Sequence, residues 1–304
     1  MGPLNPDELE AADRIFRLAF GTRNAMADPI QFDGDAARLK TRFNSRNVSA
    51  IGARIGGELV GSNFITLWGS FCWIGPLSVR PDLWDKGIAQ HLLGVTMDSV
   101  NRPGIKHVAL FTVAESAKHV ALYRKFGFWP GFLTLMMQRP TASMQTHPYV
   151  RFSQVRGTER TSCLDLCRQL TDGLYPGLDL SEEILSLCDL GLGDTLVLMN
   201  AGSVAGFAIC HCGPGSEAAT NTTYIKFAAA TGSADFESLL NACQQFAASR
   251  GMRRLLAGVN TSRREAYGMM VSNGFRAIQQ GVAMHRPDEP AYDRRGVYAI
   301  DDLR

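Results

Sequence analysis

The chain has 304 residues, 45% of them hydrophobic and 20% charged, with a formal net charge of +2. That length suggests two domains of roughly 150 residues each, and the composition excludes global disorder. The near-neutral charge gives no bulk attraction to nucleic acid or to a membrane surface.

In chain order, the opening MGPLNPDELEAADRIF is acidic and amphipathic. It lacks the basic and apolar regions of a signal peptide. Asp7 to Phe20 repeats apolar residues at Leu9, Ala12, Ile15, Phe16 and Ala19, which predicts a helix. Ala36 to Phe43 predicts a second, short one. Val48 to Arg54 and Leu59 to Leu67 read as strands about the turn signal IGGE. Phe71 to Val79 is a further strand, stopped by Pro81, which cannot donate to a ladder. Gly87 to Val100 reads as a helix with apolar Leu92, Leu93, Val95 and Met97. His107 to Val113 is a strand, Ala117 to Phe126 a helix closed by Gly127, and Phe132 to Met137 a strand. The stretch RPTASMQTHPY, bracketed by Pro140 and Pro148, reads as a linker with room for a crossing strand. No apolar run of about 18 residues predicts a membrane-spanning helix.

The order then repeats. Thr161 to Leu170 and Ser181 to Leu187 are helical in pattern, and Thr195 to Met199 and Ser203 to Cys210 pair about NAGS. Thr223 to Ala229 is a strand, Ala234 to Ser249 a helix, Arg254 to Val259 a strand, Arg263 to Val271 a helix closed by Gly274, and Phe275 to Met284 a strand. The tail GVYAIDDLR has room for one more. The repeat has a register. LVG at Leu59 matches VAG at Val204 with an offset of 145, while Leu92–Leu93 match Leu239–Leu240, and Gly127–Phe128 match Gly274–Phe275, with offsets of 147. Similar offsets at separated places point to a duplicated domain, with expected bounds of 1–140, a linker at 141–148, and 149–304.

Seven cysteines, an odd number without a secretion signal, read as reduced cytosolic thiols. Zinc needs about four convergent donors, and neighbours such as Cys210, His211 and Cys212 on a strand face opposite ways. No metal is expected.

The first half carries two motifs, IGPLSVRPDLWDKGIAQHLL from Ile74 and SAKHVALYRKFGF from Ser116. In these it resembles the Gcn5-related N-acetyltransferases, in a tandem two-domain form. Val79, Pro81, Gly87 and Ala89 fit the first family signature, and Tyr123, Gly127 and Phe128 the second. The resemblance implies an α+β fold, each half a mixed, mostly antiparallel sheet flanked by helices. It also implies acetyl-CoA as co-substrate and an amine acceptor, either a small molecule or a peptide, with no nucleic acid or membrane partner. Oligomeric state stays open. The signature's Gln/Arg position holds Trp84, with Lys86 as a compensating charge.

Physical chemistry points the same way. A helix start carries unpaired amides and the positive end of a dipole, where phosphate can dock. Gly87 and Ala89 lack bulk, so the amides of Lys86, Gly87, Ile88, Ala89 and Gln90 are candidates for a pyrophosphate. By resemblance, the pantetheine arm pairs with the backbone of Leu77 and Val79, and Ser116 and His119 stand where the family often has Asn and Ala. Tyr123 is the implied acid for the leaving thiolate, against a core tyrosine stacked on Phe128. A phenol is protonated at neutral pH. Glu115 is the candidate base, against a plain surface carboxylate. The acceptor side is expected in Gly21 to Asp35, where Asp28, Asp33 and Asp35 would favour a cationic acceptor.

At an offset of 147, Gly87 becomes Ala234, Ile88 becomes Asp235, Ala89 becomes Phe236 and Tyr123 becomes Met270. The second half keeps the fold-forming residues and loses the chemical ones. The expectation is therefore a cytoplasmic acetyl-CoA-dependent N-acetyltransferase with one active site, in the first half. Two alternatives remain at this point: a non-catalytic acyl-CoA-binding regulatory module, and an acyltransferase using a different acyl-CoA.

Overall fold

Tight turns build the same hairpin twice. Gly56 and Gly57 have φ of 58° and 87° and join two strands, and Ala201 and Gly202, at 46° and 83°, do the same in the second half. Positive φ at both central residues gives the turn twist that antiparallel strands require. The computed structural model describes residues 1–142 and 147–301. Part of the expected linker, 143–146, and the end of the tail, 302–304, therefore lie outside the described residues.

The first half runs β1 (Gly2–Pro3), α1 (Leu9–Arg23), α2 (Arg38–Phe43), β2 (Val48–Ile55), β3 (Glu58–Trp68), β4 (Phe71–Val79), α3 (Ile88–Val100), β5 (His107–Thr112), α4 (Ala117–Arg124) and β6 (Trp129–Pro140). The second runs β7 (Val150–Arg151), α5 (Gly157–Leu174), α6 (Ser181–Leu190), β8 (Gly193–Asn200), β9 (Ser203–Cys212), β10 (Thr222–Ala230), α7 (Ser233–Ser249), β11 (Arg254–Asn260), α8 (Arg264–Ser272), β12 (Arg276–Arg286) and β13 (Tyr298–Ile300). The tail thus supplies a strand, as its sequence allowed. No helix among the described residues is long and apolar enough to cross a membrane.

All the strands join one sheet in the order β1-β2-β3-β4-β5-β12-β6-β11-β10-β9-β8-β7, with β13 on β10. Only β4–β5 and β10–β11 pair in parallel. The end strands are exchanged: β12, from the second half, lies between β5 and β6, and β6, from the first, lies between β12 and β11. The exchange reaches the cores. Val282 and Met284 of β12 pack with Leu92, Leu93, Leu110 and Phe128, while Leu135 and Met137 of β6 pack with Leu239, Leu240 and Phe275. The matched pairs read from the sequence are buried: Leu92, Leu93 and Phe128 in one core, Leu239, Leu240 and Phe275 in the other.

β12 passes close enough to β5 to demand a glycine. A Cβ on Gly281 would lie 2.0 Å from the Phe111 ring and 2.4 Å from the Thr112 carbonyl oxygen. Gly94, inside α3, has open space where its Cβ would be. Gly281→Ala should therefore lower the urea midpoint, by about 1–3 kcal/mol of overpacking. Gly94→Ala should leave it unchanged or raise it by up to ~1 kcal/mol.

Candidate active site

β4 and β5 start as partners and then separate. They pair from Phe71–His107 to Trp73–Ala109 and no further. Beyond that point the far edge of β4 has no strand against it. The Arg80 N–H donates to the Val60 carbonyl at 2.9 Å, so Arg80 faces β3. By alternation, Ser78 does too, and the backbone groups of Leu77 and Val79 face the gap. The sequence reading singled out this edge.

Trp84, the residue out of keeping with the family signature, folds back onto this edge. Its indole Nε1–H donates to the Val79 carbonyl at 2.8 Å. One acceptor at the end of β4 is thereby satisfied, while the Val79 amide and the Leu77 groups stay directed into the gap. The side chain acts on the strand, and the loop amides are left to themselves.

The loop then turns into α3 through two residues at positive φ, Asp85 at 66° and Gly87 at 79°. Gly87 is the cap residue; His91 Nδ1 meets its carbonyl at 2.9 Å, and among the described residues no side chain accepts from the amides at the helix start. The first intrahelical bond runs from the His91 N–H to the Gly87 carbonyl at 3.1 Å. The amides of Ile88, Ala89 and Gln90 are therefore not taken up by a capping side chain. Lys86 is exposed beside them. Asp85, an acid near an expected anion site, is paired with Lys118 of α4, which offsets its charge.

α4 carries the next three candidates. Ser116 caps the helix, its Oγ accepting from the His119 N–H and meeting His119 Nδ1 at 2.5 Å. Burial, with Arg23 and Lys118 nearby, pushes the His119 pKa down and keeps the ring neutral. Tyr123 is buried and stands edge-on to Phe128 at 6.3 Å. Burial pushes its pKa up to about 12, so the phenol holds its proton. Its hydroxyl has no hydrogen-bond partner among the described residues. The packing and acid readings of Tyr123 are compatible, since the ring packs while the hydroxyl is uncommitted.

Glu115 is exposed and lies 3.4 Å from Arg23 Nη2, at the end of α1. Both line a cavity of about 640 Å³ with Asn24, Ile278, Gln279 and Gln280. The last three come from β12. Val282 pairs with Thr112, so Gln280 lies beyond the end of β5, next to the turn that carries Glu115. The sequence placed the acceptor side at Gly21 to Asp35, which contains Arg23 and Asn24. It gave no hint of the β12 residues. Two of the three acids in that loop are committed elsewhere: Asp33 pairs with Arg38 at 2.9 Å, and Asp35 accepts from the Thr220 N–H at 2.8 Å.

The second half treats the same place differently. β4 and α3 are joined by residues 80–87, whereas β10 and α7 are joined by 231–232 alone. Here the sequence register needs correcting. The leucine pairs keep an offset of 147, but α7 starts two residues earlier relative to them, so the residue in the cap position of Gly87 is Gly232 and not Ala234. Asp235 accepts from the Thr231 hydroxyl, and Phe236 and Met270 are buried in the core. β10 and β11 pair in parallel from Thr222 to Ile225, then part as β4 and β5 do. This second gap is filled by β13. Ile300, Ala299 and Tyr298 pair with Ala228, Ala229 and Ala230, and the Asp301 N–H donates to the Gly258 carbonyl of β11 at 3.2 Å.

Glu183, His211 and Glu217 bring ligand-type atoms within 4.8 Å of one another, a cluster that does not involve the cysteines. The cation held there is Lys226, whose ammonium is 2.6 Å from Glu183 and also paired with Glu217. Burial pushes the His211 pKa down to about 3. This donor set is matched by a lysine and fits an internal ion pair better than a metal.

Residues 13–128 match the acetyltransferase (GNAT) family model. No curated protein sequence matches the chain. Solved structures match over its whole length. A Pyrococcus horikoshii protein, provisionally named an acetyltransferase, has a TM-score of 0.69 at 16% identity, covering 99% of this chain and 93% of that one. A GCN5-related N-acetyltransferase from Sphaerobacter thermophilus has 0.58 at 14%, covering 94% of each. A tandem GNAT protein from the clavulanic acid biosynthesis pathway has 0.55 at 12%, covering 93% and 97%. At these identities the likeness is one of fold, and the fold is a mixed α/β sheet flanked by helices in both halves.

Gly87 has no atom closer than 3.8 Å to a built Cβ, so its positive φ, and not lack of room, calls for glycine. If its amides hold phosphate, Gly87→Ala should weaken coenzyme A binding about tenfold, as expected for the 1–2 kcal/mol cost of this backbone region. Calorimetry with coenzyme A checks this, and unchanged affinity would remove the loop from the binding site.

Proposed function

We propose that the chain is an acetyl-CoA-dependent N-acetyltransferase with a single active site in the first half, acting directly on an amine. The contrast between the two gaps carries this reading. The first is open, with backbone groups of Leu77 and Val79 facing it and an uncapped helix start beside it. The second is filled by the chain's own β13, and its loop is cut to residues 231–232.

In this reading the pantetheine arm pairs with Leu77 and Val79, and the pyrophosphate meets the amides from Lys86 to Gln90. Ser116, with His119, borders the arm. Glu115 takes a proton from the acceptor ammonium, directly or through water. The neutral amine attacks the thioester carbonyl, and the Val79 amide stabilises the oxyanion. The carbon–sulfur bond then breaks, the thiolate takes the Tyr123 proton, and the nitrogen's remaining extra proton returns to the Tyr123 phenolate directly or through water. The second half supplies a strand of the acceptor pocket and no chemistry of its own.

Tyr123→Phe should keep coenzyme A affinity and lower turnover by about 10²-fold, the usual size for loss of a general acid. Turnover at the wild-type rate would remove Tyr123 from the mechanism. Titration calorimetry should give one coenzyme A per chain, and two sites would show that β13 does not close the second gap. Loss of thioester only when an amine is added separates an enzyme from a non-catalytic acyl-CoA-binding module.

A further inference from the structure

The cavity beside the open gap holds two opposite charges that the fold does not need. Arg23 and Glu115 are 3.4 Å apart with side chains 26% and 70% exposed. An ion pair so exposed adds little to stability, and ligand groups can take its place at small cost. Among the described residues, the Arg23 side chain otherwise bonds only its neighbour, Asn24 Oδ1, at 3.1 Å. Across the cavity lie the neutral amides of Gln279 and Gln280 and the apolar Ile278, which is 52% exposed. Ile278 is the extra residue where the β12–β6 register shifts between Ala277 and Gln279, and such bulges re-aim side chains.

We infer that the acceptor amine also bears a carboxylate and is a free α-amino acid, its carboxylate held by Arg23, its amino group by Glu115, and its side chain facing Ile278. This rests on the acetyltransferase reading above. The two charges of an α-amino acid stand one carbon apart, close to the spacing of the Arg23–Glu115 pair, so each meets its opposite. Arg presents a planar fork that takes a carboxylate through two parallel bonds, which orients the amine towards the thioester. The charge bookkeeping also favours turnover. Glu115 takes one ammonium proton, the amine nitrogen bonds to the acetyl carbon, the sulfur leaves with the Tyr123 proton, the nitrogen's second proton passes to the Tyr123 phenolate directly or through water, and the product amide is neutral. Only the Arg23 contact then retains the product.

The test follows thiol release from acetyl-CoA with each of the twenty common L-amino acids, and then compares the best of them with its methyl ester and with the amine lacking the carboxylate (L-leucine, leucine methyl ester and isoamylamine, for example). The amino acid should exceed both comparators at least tenfold in kcat/KM. Arg23→Gln should lower kcat/KM for the amino acid at least tenfold with the KM for acetyl-CoA little changed, and Arg23→Lys should restore part of it. Equal use of the ester and the simple amine, or an unchanged kcat/KM in Arg23→Gln, would overturn the inference. So would turnover confined to carboxylate-free amines such as tyramine or spermidine, which would leave acetyl transfer standing. Absence of coenzyme A binding in calorimetry would sink both.

Discussion

Neither half can complete its sheet without a strand from the other. β12 bonds to β5 on one side and β6 on the other, and β6 bonds to β12 and β11. Backbone amides and carbonyls in a sheet interior need partners, so removing β12 would strip β5 and β6 of theirs and take Val282 and Met284 out of the first core. The second half is therefore held in place by the first half's backbone. The same exchange brings Ile278, Gln279 and Gln280 to the cavity lined by Arg23 and Glu115.

A second joint is ionic. Glu183 of α6 accepts from Trp68 Nε1 at 3.0 Å and from Asn47 at 2.9 Å, both in the first half. Glu217 pairs with Arg42 of α2 at 2.8 Å, and Lys226 joins the two carboxylates. Buried pairs lose much of their attraction to desolvation, so this cluster is weak as a source of stability. It is strong as a constraint on position, because a shifted α2 would leave Glu217 buried with one cation fewer. α1 packs against α2 and ends at Arg23, so a fixed α2 also helps fix where the cavity beside Arg23 opens.

Much of the local structure was legible in the sequence. IGGE and NAGS gave the hairpins, apolar spacing gave the helices, and Gly87 with Ala89 marked a helix start with uncapped amides. What escaped were choices of partner. The periodicity of Phe132 to Met137 is the same whether its neighbours come from its own half or the other, so strand exchange left no mark. The end of the tail read as a possible strand, but nothing in GVYAIDDLR says it lies on β10. The register failed where a loop changed length: the leucine pairs stayed aligned while the helix start moved by two residues. Trp84 looked like the loss of a polar contact to ligand, whereas its indole N–H serves the Val79 carbonyl. Arg23 fell inside a stretch expected to face the acceptor, but its meaning depends on Glu115, far away in sequence.

The two gaps pose one backbone problem. Where parallel strands part, the inner edge of each is left with donors and acceptors inside the molecule, and unmet groups of this kind cost about 1–3 kcal/mol each when buried. In the second half the chain answers with itself: β13 bonds to β10, Asp301 bonds to β11, and Arg263 fastens the end of that strand through Asp301 at 2.6 Å and through Asp293. In the first half, among the described residues, only Trp84 answers, at the Val79 carbonyl. An extended arm rich in amides satisfies such an edge as a strand does, and pantetheine, with two amides along its length, has that character. The filled gap is thus a template for the open one. β13 marks the path that a strand takes between the parting strands, and in the proposed function the pantetheine arm takes the equivalent path beside β4.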